Sequence, residues 1–214
     1  MFVEALHSFV DQLQSSWLRL ADLWHSWRIA GASGCVFTAN YSKHCTPHWN
    51  QHLAELKDRE HVNFLEIGSF EGRSAIWFLE NVLTHPTATI TCVDAFVHPG
   101  AEPRFDHNLR ISGLSARVKK IKGKSEEVLS TLTPGSFDAI YIDGCHKALN
   151  VLMDAMASWI LLKSKGILIF DDYNWKPQWP PLERPQMAID LFLNVLQSEA
   201  VLLHRGYQVI VRKA

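Results

Sequence analysis

Cysteine is scarce in this chain, and its spacing offers neither a disulfide framework nor a zinc knuckle. Four cysteines occur among 214 residues, with no CxxC pair: Cys35, Cys45, Cys92 and Cys145. Small secreted folds and zinc knuckles depend on closely paired cysteines, so this pattern predicts a protein of a reducing compartment, the cytoplasm.

Charge excess and long apolar runs are also missing. The formal net charge is -1, which gives no electrostatic reason to expect a nucleic acid or an anionic membrane surface as partner. No apolar run is long enough to span a membrane. Glu4, His7 and Asp11 interrupt the first apolar stretch, which therefore does not resemble a secretory signal.

The first 60 residues predict helices. Between residues 2 and 28, large apolar side chains such as Trp17 and Trp24 recur at helical spacing, which predicts an amphipathic helix that packs on the main body or on a second copy of the chain. Thr46 followed by Pro47 indicates the N-cap and first residue of a helix that continues to about Leu56. We therefore expect a helical cap segment over residues 1–60, and the apolar first helix makes a homodimer plausible.

Residues 61–214 alternate between short apolar runs and helical patterns. The strand-like runs are VNFLEI, ATITCVD, RVKKIKG, FDAIYID and GILIFDD, each followed by a helical stretch. This alternation predicts a parallel sheet with right-handed crossovers and helices on both faces. The last stretch, AVLLHRGYQVIVRK, has no room for a helix between its two strand-like runs and predicts an antiparallel hairpin. The predicted fold is a Rossmann-like, doubly wound α/β sheet.

Acidic residues stand at the carboxyl ends of two of these strands. Asp143 ends FDAIYID, and Asp171 and Asp172 end GILIFDD. Ligands of doubly wound sheets bind outside the carboxyl ends of the strands. One such acid commonly forms a turn or caps a helix, but three at neighbouring strand tips favour a site for a divalent cation such as Mg²⁺.

A glycine-containing turn joins the first strand to its helix in the stretch FLEIGSFEGRSA. Gly68 and Gly72 allow a tight turn and close approach of a ligand, and the N–H groups at the helix start favour an anionic ligand group. Phe70 replaces the second glycine of a dinucleotide fingerprint. The turn therefore argues against a nicotinamide-dependent dehydrogenase.

The motifs together resemble the class I S-adenosylmethionine-dependent methyltransferases. Glu66-x-Gly68-x-x-x-Gly72 is similar to their first motif, Asp94 stands where the family binds the ribose hydroxyls, and Ser125 in GKSEEVL stands beside the expected adenine position. The resemblance implies S-adenosylmethionine as cofactor, and it implies the following cofactor-binding residues: Glu66, Gly68, Ser69, Gly72, Asp94, Ser125 and Asp143.

The segment YIDGCH…LLKSKGILIFDDY resembles the metal-dependent O-methyltransferases, which include catechol O-methyltransferase and a bacterial branch with macrocin O-methyltransferase and cephalosporin hydroxylase-like proteins. The resemblance implies metal ligation by Asp143, Asp171 and Asp172, where catechol O-methyltransferase has asparagine at the position of Asp172. The implied reaction is methylation of a hydroxyl on a small molecule, such as a sugar or a secondary metabolite, with Mg²⁺ or another divalent cation.

His146 is the candidate general base, together with Asp143 as a catalytic residue. The ordinary pKa of histidine suits proton abstraction near neutral pH, and His146 falls where catechol O-methyltransferase has its catalytic lysine. Lys147 is the alternative base, and His146 could instead be a fourth metal ligand. Two other functions stay open: a non-catalytic cofactor-binding or scaffolding module, and a metal-dependent hydroxylase, for which the sequence shows no clear set of two histidines and one carboxylate.

Two further features have more than one interpretation. His48 and His52 have the i, i+4 spacing of zinc ligands on a helix, but no third ligand is evident, which favours ordinary wall or surface histidines. Trp49 between them either covers the cofactor or belongs to the core. The loop DYNWKPQWPPLERP, with Trp175 and Trp179, either closes over substrate or is a connector packed by its own rings.

Overall fold

The computed structural model describes residues 34–41 and 44–214. The amphipathic helix predicted for residues 2–28, and with it the homodimer prediction, lies outside these residues. Among the residues described, no helix is long and apolar enough to cross a membrane.

Strands and helices alternate through the described chain as the periodicity predicts. The strands are β1 (Asn63–Ile67), β2 (Thr89–Asp94), β3 (Val118–Lys122), β4 (Phe137–Ile142), β5 (Leu162–Phe170), β6 (Ala200–Arg205) and β7 (Val209–Lys213). The α-helices are α1 (Thr46–His52), α2 (Arg73–Asn81), α3 (Ala101–Ser112), α4 (Ser125–Val128), α5 (Ala148–Leu161) and α6 (Gln186–Val195).

The strands form one seven-stranded sheet in the order β3-β2-β1-β4-β5-β7-β6. The first five strands in the chain pair in parallel, and β7 lies antiparallel between β5 and β6. The predicted Rossmann-like sheet with its antiparallel hairpin is therefore confirmed. Because the chain crosses over from β3 to β4, the ligand crevice of such a sheet is expected where the carboxyl ends of β1 and β4 meet.

Apolar side chains cover both faces of the sheet, as expected when helices flank parallel strands. Trp49 from α1, Phe78 from α2 and Phe105 from α3 lie on one face. Trp159 from α5 and Phe192 from α6 lie on the other face. The strands are thus held between two apolar layers, and their polar ends are left at the edges.

Helix α1 differs in detail from its prediction. It starts at Thr46, but its N-cap residue is Cys45, one residue earlier than predicted, and no side chain caps it. The α-helix ends at His52, and a 3-10 turn continues to Leu56. Trp49 is fully buried, with its ring 4.5 Å from that of Phe78, so the core interpretation of this residue is the right one.

The described segment before α1 is fixed by two buried polar side chains. Asn108 on α3 accepts a hydrogen bond from the N–H of Val36 at 2.6 Å and donates to its carbonyl at 2.8 Å. Glu71, in the turn after β1, accepts from the backbone N–H and the hydroxyl of Thr38 at 2.7 and 2.8 Å. Since each contact joins residues more than thirty positions apart in the sequence, sequence periodicity does not indicate them.

Candidate active site

The turn after β1 packs directly against the end of β4. Gly68 has φ +89, and a Cβ built on it would lie 2.0 Å from the carbonyl oxygen of Asp143. The N–H of Asp143 donates to the carbonyl of Ile67 at 2.8 Å. Only glycine allows both the positive φ and this close approach. Gly68 therefore lets the turn after β1 pack directly against Asp143.

Gly72 and Ser69 complete this turn. Gly72 has φ +79 and is the N-cap residue of α2, and its N–H donates to the carbonyl of Ser69 at 2.7 Å. A Cβ at Gly72 would lie 3.0 Å from the ring of Phe105. Ser69 is buried. The turn is therefore compact and packs against Phe105 of α3.

Glu66 lies fully buried beneath the same turn. Its carboxylate accepts a hydrogen bond from the Ser74 hydroxyl at 2.5 Å and one from the Cys92 thiol at 3.5 Å. Burial raises the pKa of Glu66 to about 7, against the opposing effect of the Ser74 hydrogen bond. This geometry ties β1 to α2 and β2, and the role of Glu66 toward the cofactor stays a prediction.

Asp94 ends β2 at the same edge of the sheet. Its two carboxylate oxygens accept hydrogen bonds from the backbone N–H of Phe70 at 2.8 Å and of Phe96 at 2.5 Å. The carboxylate is half-buried and is oriented by the glycine turn itself. Each oxygen keeps a free lone pair, so a diol could still bind to it.

Ser125 is the first residue of α4 and does not cap it, because the N-cap residue is Lys124. Its hydroxyl lies against Asp154 of α5 and lowers the pKa of that carboxyl, while burial, the larger effect, raises it to about 6. The adenine contact of Ser125 stays a prediction.

The predicted acids of β4 and β5 come together around a tyrosine. Tyr141, fully buried in β4, places its hydroxyl 3.0 Å from Asp143 and in close hydrogen-bonding contact with Asp171. Tyr141 and Asp143 point to the same side because side chains alternate along a strand. A tyrosine hydroxyl has one proton, so it can donate to only one of the two carboxylates at a time.

Asp172 faces a second group of partners. It has φ 59, and its N–H donates to the Asp171 carboxylate at 2.7 Å. One oxygen of Asp172 accepts from the hydroxyl of Tyr207 at 2.6 Å, and the other lies 2.6 Å from Nε2 of His146. The adjacent acids Asp171 and Asp172 thus accept hydrogen bonds from two different tyrosines, Tyr141 and Tyr207.

His146 is sandwiched between this acid and the proline-rich loop. Its ring stacks on Trp175 with centroids 4.4 Å apart and planes at 24°, and 37% of its side chain is exposed. Lys147, the alternative base, lies instead near Glu183 at 3.7 Å. His146 therefore faces the acid cluster, and Lys147 has a partner elsewhere.

The crowding of acids has a clear electrostatic effect. Burial, followed by the charges of Asp171 and Asp172, raises the pKa of Asp143 well above its ordinary value. Burial and Asp172 raise the pKa of Asp171 as well. Burial and the same acids raise the pKa of the Cys45 thiol at the start of α1. Each of these three groups therefore keeps its proton to a higher pH than it would in water.

Three side chains of this site lie close enough together that they could hold a metal ion. Ligand atoms of Asp143, His146 and Asp172 lie within 4.8 Å of one another. Asp171, the remaining predicted ligand, adjoins the set through Tyr141 and Asp172. The sequence did not indicate Tyr141 and Tyr207 as site residues. In an apolar, strand-like stretch, a tyrosine that contacts a site has the same pattern as one in the core.

The fold and the residues at this edge of the sheet are typical of Rossmann-like proteins that bind a ligand at the carboxyl ends of β1 and β4. Residues 65–173 match the family model described as a methyltransferase domain. The chain belongs to this methyltransferase domain family, as the first motif predicts.

Individual relatives are more distant. An uncharacterised protein of Acanthamoeba polyphaga mimivirus, R132, is 27% identical over 143 residues, and the match spans 63% of this chain and 63% of that relative's length.

Two solved structures share the fold. An O-methyltransferase from Bacillus cereus in complex with SAH has a TM-score of 0.63 at 18% identity, with 90% of this chain and 91% of that chain covered. The O-methyltransferase TomG from Streptomyces achromogenes, involved in tomaymycin synthesis and solved in complex with SAM, has a TM-score of 0.60 at 17% identity, with 78% and 80% covered.

Proposed function

We propose that the protein is an S-adenosylmethionine-dependent O-methyltransferase that uses a divalent cation to methylate a hydroxyl of a small molecule. The observation that carries the proposal is the cluster of Asp143, Asp171, Asp172 and His146 beside the glycine turn of a methyltransferase domain. Two structural neighbours are O-methyltransferases by name, one with SAM and one with SAH, which supports the same cofactor here.

The cofactor would lie along the edge formed by β1 and β2. Asp94 is the candidate ligand of the ribose hydroxyls, since its carboxylate is held in place by two backbone N–H groups and matches a diol. Gly68 and Gly72 keep the turn close to the sheet. Because Asp143 contacts that turn, the acid cluster would then lie next to the methyl donor.

The side chains of the cluster fit a divalent cation. In the parts of the chain that are described, no lysine or arginine forms an ion pair with any of the three acids, and His146 is their one basic partner. The three carboxylates suit Mg²⁺ or Mn²⁺, since both cations prefer oxygen ligands. A cation bound there would lower the pKa of an acceptor hydroxyl and orient it.

His146 is the candidate proton acceptor of the reaction. Asp172 accepts from its Nε2 at 2.6 Å, and Trp175 fixes the ring plane by stacking. With Nε2–H donated to Asp172, Nδ1 carries the free lone pair, and the partial exposure of the ring leaves it open to a substrate. The cluster holds one histidine and three carboxylates, which does not match the two-histidine, one-carboxylate set of iron oxygenases.

Two assays on the purified full chain test the proposal. Calorimetry with S-adenosylhomocysteine measures cofactor binding. Transfer of a labelled methyl group from S-adenosylmethionine to a panel of catechols, sugars and polyketide alcohols measures activity, with Mg²⁺ or Mn²⁺ and after EDTA treatment. Asp171→Asn should lower activity about 100-fold, the upper range for disturbing a metal site.

Asp106→Asn is the matched control, because Asp106 is an exposed acid on α3 that pairs with Lys120 of β3, away from the cluster. Unchanged transfer after removal of the metal would refute the cation's role and leave the methyltransferase assignment standing. Cofactor binding without transfer to any acceptor would favour the non-catalytic module. Absence of S-adenosylhomocysteine binding would overturn the whole proposal.

A further inference from the structure

Three histidines meet on the face of the molecule where α1 packs on the terminal hairpin. His48 and His52 lie one helical turn apart on α1, and His204 comes from β6. Ligand atoms of the three side chains lie within 4.8 Å of one another. His204 is the third residue that the spacing of His48 and His52 lacks in the sequence, and it stands more than 150 positions farther along the chain.

We infer that His48, His52 and His204 form a second metal site, independent of the acid cluster, that binds one Zn²⁺ or a similar imidazole-preferring cation. Histidine nitrogens bind zinc at 2.0–2.1 Å, which places two tetrahedral ligand nitrogens about 3.4 Å apart. Nitrogens that already lie within 4.8 Å reach that spacing by modest side-chain rotation.

The contacts of His204 are unusual for an ordinary surface histidine. Its ring stacks on that of His48 with centroids 3.9 Å apart and lies 5.8 Å from that of His52. Its Nε2 atom is buried and has no hydrogen-bond partner within the described residues. A buried ring nitrogen without a partner is costly, and a bound cation, with rotation of the ring, would give the imidazole a partner.

The chemistry of the cluster selects the cation. All three side chains are imidazoles, and none of these three ligands is a carboxylate. Such a set suits Zn²⁺, Ni²⁺ or Cu²⁺ and does not suit Mg²⁺, which prefers oxygen ligands. Because the three residues are only half-buried, a water molecule can fill the fourth position.

Binding would join α1 to the edge strand of the sheet. Helix α1 has only seven residues, and a helix this short has little stability of its own. A cation bound by both α1 and β6 would therefore stabilise the packing of the helix on the sheet. We expect the site to have a structural role.

Cobalt is the spectroscopic probe for this site. Metal-free full-length protein is titrated with Co²⁺, whose tetrahedral complexes with nitrogen ligands absorb visible light far more strongly than octahedral complexes with oxygen ligands. We expect the strong tetrahedral spectrum at one equivalent and its displacement by Zn²⁺. His48→Asn, His52→Asn and His204→Asn should each remove this spectrum and weaken Zn²⁺ binding about 10–100-fold or more.

Two further variants separate the possible results. Asp172→Asn, at the acid cluster, should leave the tetrahedral spectrum unchanged, and so should His61→Asn, which removes an exposed imidazole outside both clusters. Circular dichroism checks that each variant is folded. Loss of the tetrahedral spectrum in two folded histidine variants is enough to support the site. A wild-type protein without the tetrahedral spectrum, or a folded His204→Asn protein that keeps it, would overturn the inference, whatever the outcome of the methyl-transfer assay.

Discussion

Replacement of Glu66 by glutamine should change how the stability of the protein depends on pH. Burial raises the pKa of this carboxyl from 4.5 to about 7 in the folded protein. Between these two values the unfolded chain releases the proton while the folded protein keeps it. The folded state binds more protons in this window, so its stability falls as the pH rises from about 4.5 to about 7.

The size of the effect follows from the same two values. One pKa unit corresponds to about 1.4 kcal/mol, so a pKa of about 7 in place of 4.5 costs the wild-type protein about 3 kcal/mol above pH 7. Below pH 4.5 both states are protonated and this cost is absent. Glutamine is neutral throughout and can still accept the hydrogen bond from Ser74, so the variant should lack this pH-dependent cost.

Urea unfolding at pH 5 and pH 8 measures the effect. Other buried acids, such as Asp154, also lower stability as the pH rises, so the informative quantity is the pH-dependent change for wild type minus that for Glu66→Gln. We expect a difference of about 2–3 kcal/mol between these pH values. Glu127→Gln, at an exposed position of α4, is the control. Equal pH dependence of wild type and Glu66→Gln would refute the reasoning.

Three other substitutions test the contacts around the site. Gly68→Ala should lower the melting temperature strongly and abolish S-adenosylhomocysteine binding, because the new Cβ would lie 2.0 Å from the Asp143 carbonyl at a φ of +89; a stable variant that binds normally would contradict this. Tyr141→Phe should cost about 1–3 kcal/mol in urea unfolding without metal, since it removes the hydroxyl between Asp143 and Asp171, and added Mn²⁺ should recover more stability than in wild type. Asn108→Ala should cost a similar amount and speed hydrogen exchange at the Val36 amide, to which Asn108 is bonded; unchanged exchange there would count against its anchoring role.

The fold could be predicted from the sequence because its main signals are local. Five apolar runs that alternate with helical patterns fix the order of strands and crossovers, and the short connection around Gly206 fixes the final hairpin. The acids at the ends of β4 and β5 could be found in the same way, since parallel strands place their carboxyl ends at one edge.

The parts that were missed depend on contacts between distant residues. Tyr141 has the sequence context of a core residue, and only the neighbouring strand places Asp171 at its hydroxyl. His204 lies in the terminal hairpin, and no spacing rule connects it with His48. Trp49 belongs to the core because α2 and β4 surround it, which a helical periodicity alone does not decide.

The left-handed backbone of Asp172, with φ 59, has a consequence for how the protein family can vary. Aspartate and asparagine tolerate this conformation better than most residues do. An exchange between them therefore changes the charge of the cluster by one unit while the loop keeps its path. Under the proposed function, such an exchange would adjust the affinity of the cluster for a cation without rebuilding the crevice.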